Sequence, residues 1–300
     1  MMLRVLTTGY WLLVTGYCLL FAATSTARPT SVAVLDFGDT VTGRRMADKV
    51  SQALASNGAL VLTDRDEGRA AAKGASYAGS LNMTLDEARD LGAAIGSDFF
   101  ITGDAQTLRR SPSTGQVYYE AYASIFIVSS RTGRLITWDR PSFEASTPEE
   151  AERMLLAELG RRAPSQYAAV IEVAAKDERQ EREFSTAHGV PLIEEVPAED
   201  SPAARGLRPP APYRRIRPPY PESASRAEAE ATVDVLVDIE TDGEISRVEV
   251  VRWAGFGLDE ATIQTIRQMH FRPAMRDGQP VAMRALLRYN FRRPSKEEKR

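Results

Sequence analysis

Histidine and cysteine are the side chains that most often bind metals or serve as nucleophiles. This 300-residue chain holds two histidines, His188 and His270, and one cysteine, Cys18. Cys18 lies inside the first apolar run, so the body of the chain has no disulfide and no thiolate chemistry. His188 stands beside Gly189 in a linker, and His270 precedes Phe271 at the expected end of a helix, where a cation suits the dipole. Two separated histidines with no cysteine partner make no ordinary zinc site. Gly74-Ala-Ser-Tyr-Ala-Gly79 lacks the lysine and the spacing of a phosphate loop. Asp36 and Asp104 fall at strand ends, where a ligand could bind in an α/β domain, with loop and turn duty as the other reading. Trp253 and Phe256 precede a helical stretch, either as exposed aromatic anchors for a partner or packed beneath that helix. No catalytic residue, metal ligand or cofactor is assigned, and the chain reads as a non-enzyme.

The elements around these residues carry more information. Val233, Val235, Val237 and Ile239 share one face of a strand, with Thr232, Asp234 and Asp238 on the other. Asp242-Gly243 predicts a tight hairpin turn with positive φ, and Val248 and Val250 alternate with Arg247 and Glu249 on the return strand. From Leu258 the period becomes helical through Ala261, Ile266 and Met269, with Asp259 and Glu260 in the first turn. Met283, Ala285, Leu287, Tyr289 and Phe291 then alternate with Arg284, Arg288 and Asn290 as a third strand. The expectation is an α+β carboxy-terminal domain: a three-stranded antiparallel sheet with one covering helix and one wet face.

Tyr220-Pro221, Asp242-Gly243, Leu258-Asp259, Phe271-Arg-Pro-Ala274, Gly278-Gln-Pro-Val281 and Phe291 occur in that order. This pattern resembles the carboxy-terminal domain of the TonB family of energy transducers. It departs at residues 227–230, Ala-Glu-Ala-Glu, where the family has Gly-x-x-Gly before the first strand. The resemblance implies a domain that grips an extended segment of an outer-membrane transporter, or another envelope protein, by β-strand addition at the last strand. The implied partner-binding residues are Arg284, Ala285, Leu286, Leu287, Arg288, Tyr289 and Asn290. An edge strand has N–H and C=O groups that a second extended chain can satisfy.

Residues 1–27 read as a signal peptide or a membrane anchor. Arg4 is the basic start, residues 5–23 are apolar, and Ser25-Thr-Ala27 offers small residues for cleavage. Either outcome places the remainder outside the cytoplasmic membrane, in the periplasm after Sec export. Motor-coupled members of the family carry a histidine in the membrane segment, and residues 1–27 contain none, although inner-membrane motor proteins remain candidate partners.

Residues 31–175 alternate strand and helix as an α/β amino-terminal domain. Val32-Ala-Val-Leu-Asp-Phe37, the stretch Leu91-Gly-Ala-Ala-Ile-Gly-Ser-Asp-Phe-Phe-Ile-Thr-Gly103 and Thr132-Gly-Arg-Leu135 resemble the small α/β domain shared by curli-secretion lipoproteins and the amino-terminal domain of TolB. Residues 176–214 read as a linker, first a mixed charge run and then proline-rich, with nine prolines falling from Pro191 to Pro221. In polyproline II form about 30 residues would reach on the order of 90 Å. Residues 215–293 form the TonB-like domain and 294–300 a charged tail. A net charge of −3 points away from nucleic acid. The functional expectation is a periplasmic protein that binds a partner segment in support of transmembrane transport. The alternative is a structural envelope assembly factor that forms a homo-oligomer through its amino-terminal domain.

Overall fold

The computed structural model describes residues 28–187 and 193–293. Residues 1–27, His188, Pro191 and the tail 294–300 therefore lie outside the described residues.

The amino-terminal half is a six-stranded sheet between two layers. Its elements are β1 (Thr30–Val34), α1 (Val41–Leu54), β2 (Leu60–Leu62), α2 (Arg65–Gly74), α3 (Leu85–Ile95), β3 (Phe99–Arg110), β4 (Tyr118–Ser129), β5 (Leu135–Asp139), β6 (Ser142–Ala145), α4 (Pro148–Arg162) and α5 (Ala168–Ala187). The strand order is β2-β1-β3-β4-β5, with β6 also paired to β4. β1 runs parallel to β2 and β3, and the pairs from β3 onward are antiparallel. Helix starts follow local chemistry. Thr84 and Glu87 form a capping box on α3, and Thr147 caps α4 with Pro148 in its first turn.

One face of this sheet is covered by α1, α4 and α5, around Phe37, Met46, Phe99, Ile101, Leu155 and Tyr167. The other face presents Ala33, Leu35, Phe100, Phe126 and Val128, and α2 and α3 supply Ala72, Ala88 and Leu91 there. Trp253, from the carboxy-terminal half, completes that second core.

The carboxy-terminal half contains β7 (Leu207–Arg208), β8 (Ala211–Pro212), α6 (Glu222–Ala227), β9 (Ala231–Ile239), β10 (Ile245–Arg252), α7 (Leu258–Ile266), β11 (Phe271–Arg272), β12 (Ala274–Arg276), β13 (Gln279–Val281) and β14 (Met283–Phe291). β10-β9-β14 is a three-stranded antiparallel sheet. Its valine face packs with Leu258, Ile266 and Met269 from the region of α7.

Several expectations change. Residues 176–187 continue α5 instead of opening a spacer. Glu178 and Glu181 anchor that helix to Arg131 in the β4–β5 turn, at 2.9 and 3.5 Å, so the charge run is tied to the domain. The proline-rich stretch lies partly in short ribbons, β8 with β11 and β7 with β12. Two-residue ribbons tolerate prolines because flanking donors suffice, as where the Tyr213 N–H donates to the His270 carbonyl. At Asp242-Gly243 only Gly243 has positive φ, and Asp242 instead accepts the N–H of Glu244 through its side chain at 2.9 Å. The Asp-Gly pair with both residues at positive φ is Asp277-Gly278, at 50° and 83°, joining β12 to β13. His270 lies beyond the end of α7, exposed, with Nδ1 3.6 Å from a Glu244 carboxylate oxygen.

Candidate functional site: the β14 edge

The three-stranded sheet has two outer strands, and they meet different surroundings. β10 faces the amino-terminal half. The Trp253 N–H donates to the Met83 carbonyl at 3.1 Å, and Arg252 bridges Thr84. Between β10 and β5 lies a groove of about 420 Å³ lined by Leu135, Trp138, Val248, Val250 and Ile263, among others. Asn82 fastens one end of this junction: its amide donates to the carbonyls of Thr232 and Trp253, and its side-chain oxygen accepts the Thr232 N–H. Arg134 joins the other end to Glu249 at 3.0 Å.

β14 is paired to β9 on one side, and beyond Arg284 no second strand covers its other side among the described residues. Alternation decides which backbone groups face outward. Arg284 exchanges backbone bonds with residues outside the sheet, so Leu286, Arg288 and Asn290 direct their N–H and C=O groups the same way.

The seven residues implied by the family resemblance divide accordingly. Ala285 is buried in the core, and Leu287 and Tyr289 pack against it. The Tyr289 hydroxyl reaches Met269 Sδ at 3.6 Å, and burial raises its pKa. Leu286 is 54% exposed, an apolar side chain on the open edge. Asn290 accepts a hydrogen bond from the Thr232 hydroxyl at 2.8 Å. Arg284 makes a two-pronged bond to Asp238, its cross-strand neighbour, at 2.5 and 2.8 Å. Arg288 does the same with Asp234 at 2.6 and 2.9 Å. The hydrogen-bonded aspartates raise the pKa of both arginines. These arginines are thus committed partly to two carboxylates whose side chains are only 5% exposed, beyond any part in guarding the edge.

Trp253 and Phe256, for which two roles were open, pack against the amino-terminal sheet. Trp253 stacks on Phe126 at 5.8 Å, and Phe256 meets Phe126 edge-on at 5.4 Å. Gly255, at φ 70°, allows that approach, because a Cβ there would lie 2.5 Å from the Phe126 ring. Residues missed from sequence are Glu194, Val196 and Arg276, which sit at the leading end of β14. Val196 between two glutamates and Pro197 was their only signal, and it is a weak one.

Asp36 and Asp104 take structural partners: Asp36 binds Arg65 and Arg69, and Asp104 accepts the Tyr122 hydroxyl. Among the described residues no group of three or more His, Cys, Asp or Glu could hold a metal ion, and no helix is long and apolar enough to cross a membrane.

The fold thus joins an α/β domain to a small α+β domain with one open strand edge. Residues 216–292 match the family model for the Gram-negative bacterial TonB protein C-terminal, and this part of the chain is a TonB-family carboxy-terminal domain. A search of curated proteins found no match. Among solved structures, the solution structure of the Pseudomonas aeruginosa TonB CTD is 27% identical, over 29% of this chain and 89% of that one, with a TM-score of 0.25. Hypothetical protein CT253 from Chlamydia trachomatis is 12% identical, over 47% of this chain and 99% of that one, with a TM-score of 0.34. Lipoprotein GNA1162 from Neisseria meningitidis is 17% identical, with the same coverages and a TM-score of 0.33.

Proposed function

We propose that this chain is a periplasmic, non-enzymatic TonB-family protein. It captures an extended segment of an envelope partner, such as a TonB-dependent outer-membrane transporter, by adding it as a strand to β14 in support of transmembrane transport. The observation that carries this reading is that β14 is a sheet edge whose first outward residue, Arg284, already pairs through its backbone with an extended segment. In this reading residues 1–27 export or anchor the protein, 31–187 form an envelope domain, the proline-rich stretch up to 214 connects it, and 215–293 form the capture domain.

Capture through backbone groups should depend on the strand more than on any side chain. Leu286→Pro removes an outward donor without removing a bond to β9, whereas Leu287→Pro removes a ladder bond to β9 and no outward donor. The test is binding of synthetic periplasm-facing segments of outer-membrane transporters to the full chain. Leu286→Pro is expected to abolish binding while Arg288→Ala changes it less than threefold. Equal, mild effects of Leu286→Pro and Arg288→Ala would sink the reading.

A further inference from the structure

Residues 193–196 lie along the start of the β14 edge. The Arg284 N–H donates to the Glu194 carbonyl at 2.8 Å, and the Val196 N–H donates to the Arg284 carbonyl at 2.8 Å. Together these make a parallel bridge between Glu195 and Arg284. The Glu194 carboxylate grips the Arg276 guanidinium with two 2.8 Å bonds, which hold its pKa below the usual carboxylate range. The Val196 side chain packs against the core of the TonB-family domain. Pro197 then lacks a donor, and Ala198 turns away to accept the Ser201 N–H at 2.9 Å. The segment therefore covers one repeat of the edge and leaves Leu286, Arg288 and Asn290 open.

A strand added along the whole edge needs the N–H and C=O of Arg284, and both are already taken. We infer that residues 194–196 are an internal competitor, a resident strand that closes the leading end of the β14 edge and must be displaced when a partner is captured there. This inference rests on the capture reading above and adds its regulation. A segment present only to support the fold would lower stability when released and would leave the affinity of the edge unchanged. Releasing a competitor instead raises the affinity of the edge, because the apparent dissociation constant is the intrinsic one divided by the fraction of molecules whose edge is open.

The test uses the full chain and a fluorescent synthetic peptide of residues 193–198, Ile-Glu-Glu-Val-Pro-Ala, read by anisotropy. In the released chain, Glu194→Arg places a cation against Arg276 and Val196→Pro removes the donor to Arg284. Glu194→Arg alone serves as a variant with its backbone intact. Both chains are expected to bind the peptide at least about tenfold more tightly than wild type. Arg276→Ala in the released background should cancel the gain. Equal affinities in wild-type and released chains, or no binding to either, overturn the inference. If the released chain gains affinity but no transporter segment competes with the peptide, the resident strand stands and the transport reading falls. If transporter segments bind wild type and released chain equally, and Leu286→Pro abolishes both, the capture reading stands and the resident strand falls.

Discussion

The indole N–H of Trp253 donates to the backbone carbonyl of Gly133 at 3.0 Å, inside the second core of the amino-terminal domain. Trp253 leaves the end of β10 in one domain, yet it is 2% exposed because the sheet of the other domain covers it. The amino-terminal sheet leaves Phe126 incompletely covered by its own α2 and α3, and the loop after β10 fills that space. The two domains are therefore partners in one packed junction, and β10 is turned inward, which leaves β14 as the accessible edge.

Trp253→Ala should open this junction. It removes the stacked ring and the bond to Gly133, a loss of about 3–5 kcal/mol if the site cannot collapse. Trp253→Phe keeps most of the apolar contact and loses the hydrogen bond, so a smaller loss is expected. Small-angle scattering and limited proteolysis between the domains are the readouts. A Trp253→Ala chain with unchanged dimensions and protease resistance would show that Asn82 and Arg134 hold the domains without it.

The two arginines of β14 look alike in sequence and should behave differently. Arg284→Ala strands Asp238, a buried carboxylate with no second guanidinium among the described residues, at a loss of about 3 kcal/mol. Arg288→Ala leaves Asp234 with Arg252, whose Nε is 3.4 Å away, and Arg288 is itself 58% exposed. Urea unfolding should rank Arg284→Ala as clearly the more damaging change. Equal midpoints would remove the special place given to Asp238. The same argument makes Arg288, not Arg284, the proper side-chain control in binding experiments.

Much of the TonB-family domain was legible because alternation and helical period report which face of an element is buried. Val233, Val235, Val237 and Ile239 do line the core, and Ala285 and Phe291 join them. Period does not report what covers a face. Trp253 sits at a strand end, so its burial against Phe126, more than a hundred residues earlier, left no local trace. Turn chemistry was legible in kind but not in place. Asp-Gly at 277–278 adopts the two positive-φ conformations expected of Asp-Gly at 242–243, where the longer loop lets the Asp242 side chain take a backbone N–H. The resident segment was hidden for a different reason. Proline content argues against long strands, and residues 194–196 make only one bridge, which Pro197 ends.

Glu228 occupies a position that favours glycine. It caps α6 at φ 53°, within the stretch where the family has Gly-x-x-Gly. A left-handed residue with a Cβ is disfavoured by about 1 kcal/mol, whereas its exposed pair with Arg293 at 2.8 Å contributes less than that. Glu228→Gly is therefore expected to raise the melting temperature by a few °C. A fall in melting temperature would mean that the Arg293 pair outweighs the backbone strain.

Asp259 should make stability depend on pH. Its carboxylate accepts the N–H groups of Ala254 and Gly255, at 2.8–3.2 Å, and so ties the first turn of α7 to the loop that carries Trp253. Burial pushes its pKa up to about 7, against the downward pull of those hydrogen bonds, from 3.8 for an unperturbed aspartate. Between these values the folded chain holds a proton that the unfolded chain has released. Stability is therefore greatest, as far as this group is concerned, below about pH 4, and it falls as pH rises through about 7. Melting curves at pH 5 and pH 8 should show the wild-type chain losing several °C over that interval, and Asp259→Asn, which cannot titrate, losing less. The other ionisable groups are common to both chains, so their contribution cancels in the comparison. Identical pH profiles for the two chains would show that the Asp259 carboxylate is already charged at pH 5, with the backbone N–H groups of Ala254 and Gly255 outweighing its burial.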